Sequence, residues 1–146
     1  MKNLFKIAFI FIFFLINGCD RCAGIGCTTG PPSFVLEIVD AETGINVFTS
    51  GKYDSKDIEV TDRDNQTTYS IFQAGADMNI LRISPKSEKG NQKFTLKVGN
   101  DLVIPIEVNV REGKGECCTN YFEDGVTVTG YDYEKSKNTD RIIIKV

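Results

Sequence analysis

The sequence predicts an all-β domain, an antiparallel β-sandwich of eight or nine short strands stapled by disulfides. Three observations carry this expectation. Beyond the N-terminus the apolar residues recur almost everywhere with a two-residue period, as in strands with one buried face. These runs are short and separated by Gly, Pro, Asn and Asp, with no long window of helical periodicity. Five cysteines in a chain of 146 residues that has no histidine point to covalent cross-links.

Taken in order, residues 20–33, DRCAGIGCTTGPPS, are rich in Gly, Pro and Cys and belong to a tether spanning 19–33. The sandwich domain occupies 34–146. Phe34, Leu36 and Ile38 alternate with Val35, Glu37 and Val39 as a first strand. Asp40 to Gly44 is a turn in which Asp and Thr side chains bond local amides and Gly44 supplies a positive φ. Val47–Thr49 and Ile58–Thr61 are short strand candidates, followed by Tyr69–Phe72 and Ile80–Ile83. The clearest hairpin pairs Phe94, Leu96 and Val98 with Leu102, Ile104, Ile106, Val108 and Val110 across Gly99-Asn100-Asp101. Pro105 lies on the outward set of that long strand, which predicts an edge position or a bulge. A last hairpin joins Val126–Tyr133 to Arg141–Val146.

The N-terminus has a different character. Lys2 and Lys6 precede an unbroken apolar run from Ile7 to Ile16. A spanning helix needs about 20 apolar residues, so this run has signal-peptide rather than transmembrane length. The stretch Leu15-Ile16-Asn17-Gly18-Cys19 resembles the lipobox of bacterial lipoproteins. That resemblance implies that residues 1–18 are a cleaved signal and that the Cys19 thiol receives a diacylglycerol. The new amine would be acylated as well, for example with palmitate. Several acyl chains hold a protein on a bilayer where one does not. The expected location is therefore the cell envelope, anchored to a bacterial membrane through lipid. Asp20 resembles an inner-membrane retention signal used in some bacteria, and membrane and leaflet stay open.

Lipidation of Cys19 leaves Cys22, Cys27, Cys117 and Cys118, and an oxidising compartment favours two disulfides. Adjacent cysteines are poorly placed to pair with each other, so each of Cys117 and Cys118 is expected to join Cys22 or Cys27. Two connectivities remain open. Either one closes a loop of about 90 residues, which the chain-entropy argument values at roughly 4–5 kcal/mol. A zinc site is the rival. Cys22-x4-Cys27 with an adjacent pair lacks the double Cys-x2-Cys spacing, and histidine is absent.

The net charge is −3, and loss of a leader carrying two lysines and no acid makes the remainder more acidic still. With no basic run, the chain has no electrostatic reason to bind nucleic acid. Its charges would not hold it to anionic lipid either. The absence of histidine removes Ser-His-Asp, Cys-His and zinc-hydrolase schemes. No nucleophile elbow, phosphate loop or dinucleotide fingerprint is present, and nothing calls for a cofactor. A carboxylate pair would have to sit on loops, because the inward set of the best strands contains no acid.

Two constellations carry a sharper reading. Asp62-Arg63-Asp64-Asn65-Gln66 opens like a calcium loop, making Asp62 and Asp64 calcium candidates. Thr67 then stands where Gly is needed, and Gln73 occupies the twelfth position, so a hairpin turn is expected instead. Tyr121, Phe122, Tyr131 and Tyr133 form an aromatic group near the late cysteines. Exposed aromatics stack on sugars or anchor proteins, whereas cross-strand packing is their ordinary use.

Val39 to Gly44 resembles the early strand and turn of immunoglobulin-like and prealbumin-like sandwiches, including those akin to the carboxypeptidase regulatory domain. Ile45-Asn46-Val47-Phe48 replaces the Pro-Leu-x-Gly that follows in those domains. The layout as a whole is similar to small all-β envelope lipoproteins of unknown function. The expectation is a non-catalytic interaction or structural module with a protein partner at the envelope. The alternative is a glycan-binding module built on Tyr121, Tyr131 and Tyr133.

Overall fold

A computed structural model describes residues 22–27, 30–64, 66, 70–75, 79–137 and 139–146. Residues 1–18, the expected signal, the lipidation candidate Cys19 and the first tether residues lie outside the described residues, as does Tyr69. Within them the alternating runs become strands. Phe34, Leu36 and Ile38 are buried in β1 (Phe34–Val39), while Val35 and Glu37 are half-exposed on the other face. A short 3-10 turn, Ser55–Asp57, is capped by the Asp54 carboxylate, which accepts from the Lys56 amide at 3.0 Å. It leads into β2 (Ile58–Asp62), and β3 (Ser70–Gln73) and β4 (Ile80–Ile83) follow. Then come β5 (Gly90–Val98), β6 (Leu102–Lys114), β7 (Thr119–Val128), β8 (Asp132–Lys135) and β9 (Arg141–Lys145).

The strands form two sheets, of order β3-β4-β1-β9-β8 and β2-β5-β6-β7. The protein is a disulfide-stapled β-sandwich. Pairing is antiparallel except between β1 and β9, which run parallel with Leu36 opposite Ile142 and Ile38 opposite Ile144. Between the sheets lie Leu36, Ile38, Leu81, Ile83 and Ile144 from one side. Val60, Leu96, Val98, Ile104, Val108 and Val110 face them from the other. All these apolar side chains leave water, at about 25 cal/mol per Å2, and that burial is the main favourable contribution to folding.

Three expectations are corrected. Val47–Thr49 is a turn rather than a strand, although Val47 is fully buried. Asn46 causes this: its Oδ1 accepts from the amides of Phe48 (3.0 Å) and Thr49 (3.3 Å), which a ladder would otherwise use. Residues 126–133 are not one strand. Val126 and Val128 end β7 in the four-stranded sheet, whereas Tyr133 belongs to a separate hairpin, β8–β9, in the other. Pro105 is on an inner strand, not an edge. Its carbonyl accepts from the Thr129 amide at 3.0 Å, one residue past the end of β7, so the missing N–H falls where the neighbouring ladder has stopped. The irregularity in β6–β7 comes later, where Val108 pairs with Val126 but Val110 with Glu123.

Candidate functional site

The two connectivities left open by the sequence resolve into Cys22–Cys117 and Cys27–Cys118, with Cα separations of 5.2 and 5.7 Å. Both bridges clamp the stretch before β1 onto the turn between β6 and β7. That turn is closed by the Gly115 amide, which donates to the Cys118 carbonyl at 2.8 Å.

Beside the staple is an open groove of about 810 Å3. Arg82, Arg111, Lys135 and Arg141 line it, an unusual gathering of cations on an acidic protein. Each has an acceptor within the protein. Arg82 donates to Ser33 Oγ at 3.1 Å, and Arg141 meets Glu37 at 3.4 Å. Arg111 meets Asp124 at 3.5 Å and stacks its guanidinium 4.5 Å from the centre of the Phe122 ring. Lys135 reaches Glu123 at 3.9 Å and Asp140 at 3.8 Å. Val110 and Ile142, the ladder partners of Glu123 and Lys135, are both buried, so these two charges face inward at the open edge between β7 and β8. Charged side chains turned in at an edge discourage another chain from pairing there.

The aromatic group does not assemble into one platform. Tyr121 and Phe122 sit near the start of β7 beside the staple and, as consecutive strand residues, point to opposite faces. Phe122 lies over Gly113, where an added Cβ would come within 2.8 Å of the ring. Tyr131 is past the far end of β7, packed against the core alongside Tyr53. Tyr133 is on β8 opposite Ile144, on the far side of the Glu123–Lys135 pair from Tyr121.

The calcium candidates form a turn. Asp62 Oδ1 accepts from the amides of Asp64 (3.0 Å) and Gln66 (2.9 Å), and Oδ2 meets Lys86 Nζ at 3.2 Å. The hydrogen bond donated by the Gln66 amide, with help from Lys86, holds the Asp62 carboxyl below its ordinary range. A lysine ammonium thus occupies the position beside the carboxylate that a bound cation would need. Gln92 closes the same hollow, accepting from the Lys86 amide and donating to its carbonyl, both at 2.8 Å. Among the described residues, no group of three Cys, Asp or Glu side chains converges as metal ligands.

At the end opposite the staple, the expected Asp40 turn gains a contact from Lys52, and a second contact joins Tyr53 to Asp101, neither of which the sequence announces. Asp40 accepts from Glu42, Thr43 and Lys52, and the Tyr53 hydroxyl donates to Asp101 at 3.1 Å. Burial, then the hydrogen bond to Asp101, raises the pKa of the Tyr53 hydroxyl above its usual value. Both contacts tie loops together. No family model matches this chain, and neither a curated protein nor a solved structure is significantly similar to it.

Proposed function

We propose that this chain is a lipid-anchored envelope protein that acts by contact rather than by catalysis. One observation carries the reading: two disulfides account for four of the five cysteines, and the remaining one is Cys19 at the end of the lipobox-like stretch. Disulfides of this kind belong to an exported protein. The odd cysteine then has a purpose, since it is the residue such a signal would lipidate.

The acidities point the same way. A general acid needs a carboxyl pushed up by burial or by a neighbouring acid. Asp40 is instead pulled down by the hydrogen bond from Lys52 and then by those from Thr43, and Asp62 by the Gln66 amide and then by Lys86. The cations of the groove are committed to intramolecular partners and make a rim suited to a polar protein surface.

Replacing Cys19 with Ser tests the anchor. The variant should leave the membrane fraction or stay unprocessed, and it should carry no fatty acid. A Cys19→Ser protein that is still acylated and still sediments with membranes would end the lipoprotein reading. For the second half, a screen of glycosidase, esterase and peptidase substrates on the oxidised protein should be blank. A turnover signal abolished by changing one Asp or Glu to its amide would mean an enzyme.

A further inference from the structure

On the lipoprotein reading, on which this inference rests, the staple determines more than stability. Only two residues separate Cys19 from Cys22. A fully extended chain covers at most about 3.6 Å per residue, so the Cys22–Cys117 bridge lies within roughly 11 Å of the lipidated residue. A single-site tether of ordinary flexibility would let the domain tumble. Here the tether is bolted to the β6–β7 turn almost as soon as it leaves the membrane, at two points rather than one.

What lies between the bolts is the loop Cys22-Ala23-Gly24-Ile25-Gly26-Cys27, which carries no charge. It is a compact turn, with the Ile25 amide donating to the Cys22 carbonyl at 3.2 Å and Gly24 at φ 85°. At its tip Ile25 is 53% exposed, the most exposed of the large apolar side chains among the described residues. An isoleucine held out by a cross-linked, uncharged loop gains nothing from water. A short distance from acyl chains, it has an apolar phase to enter.

We propose that this loop is a foot, whose Ile25 side chain rests in the interface of the bilayer that holds the lipid anchor. The sandwich then stands on end. β1 leads away from the staple, and β6, with 13 residues, spans roughly 40 Å from one end of the domain to the other. The Asp40–Gly44 loop and the Gly99–Asp101 turn, at the opposite end, are displayed outward. The cation-lined groove sits low, beside the membrane surface. The acyl chains supply attachment, and Ile25 with the two bridges supplies orientation.

The chain contains no tryptophan, so one introduced indole is a unique probe. Full-length, acylated Ile25→Trp and Ile45→Trp proteins would be reconstituted into phosphatidylethanolamine–phosphatidylglycerol vesicles containing a phosphatidylcholine brominated on its acyl chains. Ile45 is 51% exposed and follows the Asp40–Gly44 loop, at the far end, which makes it the matched control. A foot buried about 5–10 Å into the interface should leave the indole of Ile25→Trp blue-shifted and quenched about twofold or more, with that of Ile45→Trp unaffected. Flotation of the unsubstituted protein is scored separately. Vesicles that float the protein while the Ile25→Trp indole stays as unquenched as the control would overturn the foot and leave the anchor standing. Equal quenching in both variants would mean a domain lying flat, and would overturn it too. Protein that does not float removes the anchor, and this proposal goes with it.

Discussion

Asp40 shows how a single residue sets a loop. Its Oδ1 accepts from the amides of Glu42 (3.2 Å) and Thr43 (3.0 Å) and from the Thr43 hydroxyl (3.1 Å), while Oδ2 meets Lys52 Nζ at 2.9 Å. Gly44, at φ 70°, completes the turn that the Asp-x-x-Thr-Gly pattern predicts. The Lys52 hydrogen bond, followed by those from Thr43, holds the Asp40 carboxyl far below its ordinary range. A carboxyl whose pKa is lowered in the folded state contributes stability above its unfolded pKa, and that contribution is lost as pH falls through the folded one. Melting temperature should therefore drop as pH falls from the ordinary carboxylate range downward. Asp40→Asn should melt lower at neutral pH and show a shallower acid slope. The pair is solvent-exposed, so added salt should narrow the difference. Parallel acid slopes for the two proteins would show that solvent screens the pair to nothing.

At the level of elements, the staple and the β6–β7 ladder matter most. The bridges enclose separations of 95 and 91 residues, and either alone closes nearly the same long loop. The chain-entropy argument assigns the first bridge about 4.7 kcal/mol. The second then closes only a ring of about eight residues, adding about 2.5 kcal/mol. Removing one bridge as a pair, Cys27→Ser with Cys118→Ser, should thus cost about 2.5 kcal/mol, and removing both about 7. Urea titrations of the intact protein, of the variants lacking either bridge and of the variant lacking both check this. Two single-bridge removals that each cost as much as the double removal would contradict the shared loop. In the ladder, two β7 residues, Asp124 and Gly125, stand opposite Asn109 alone, and Gly125 takes φ 144°. This bulge switches parity: Val126 and Val128 face inward on one side of it, Tyr121 and Glu123 on the other. A strict two-residue pattern cannot run through it. That is why residues 119–125 do not read as strand in the sequence, while 126–128 do.

For the whole molecule, the core follows directly from alternation. Leu36 and Ile104 are completely buried, whereas Val103, one residue from Ile104, is 43% exposed. Leu36→Ala should cost about 2–5 kcal/mol, because transfer free energy is lost and a cavity is left that the two sheets cannot close. Val103→Ala should stay within about 0.5 kcal/mol. Comparable losses in chemical denaturation would mean that the outer face of the four-stranded sheet is covered.

Much of this protein is written in local pattern. The inward set of β1, β5 and β6, the turn at Asp40–Gly44, the hairpin turn at Gly99–Asp101 and the class of fold follow from two-residue periodicity and turn chemistry. The pattern works because each strand buries one face and each turn satisfies its own amides. What depends on residues far apart in the chain was decided only by tertiary structure. That includes the parallel pairing of β1 with β9, the choice of Cys22–Cys117 and Cys27–Cys118, and the Glu123–Lys135 pair. The same holds for the separation of Tyr121 from Tyr131 and Tyr133, which lie close in sequence but are divided when the chain crosses from one sheet to the other after Val128. Sheet order and register are set by how the buried faces pack together, and no local run of residues records which distant strand it will meet.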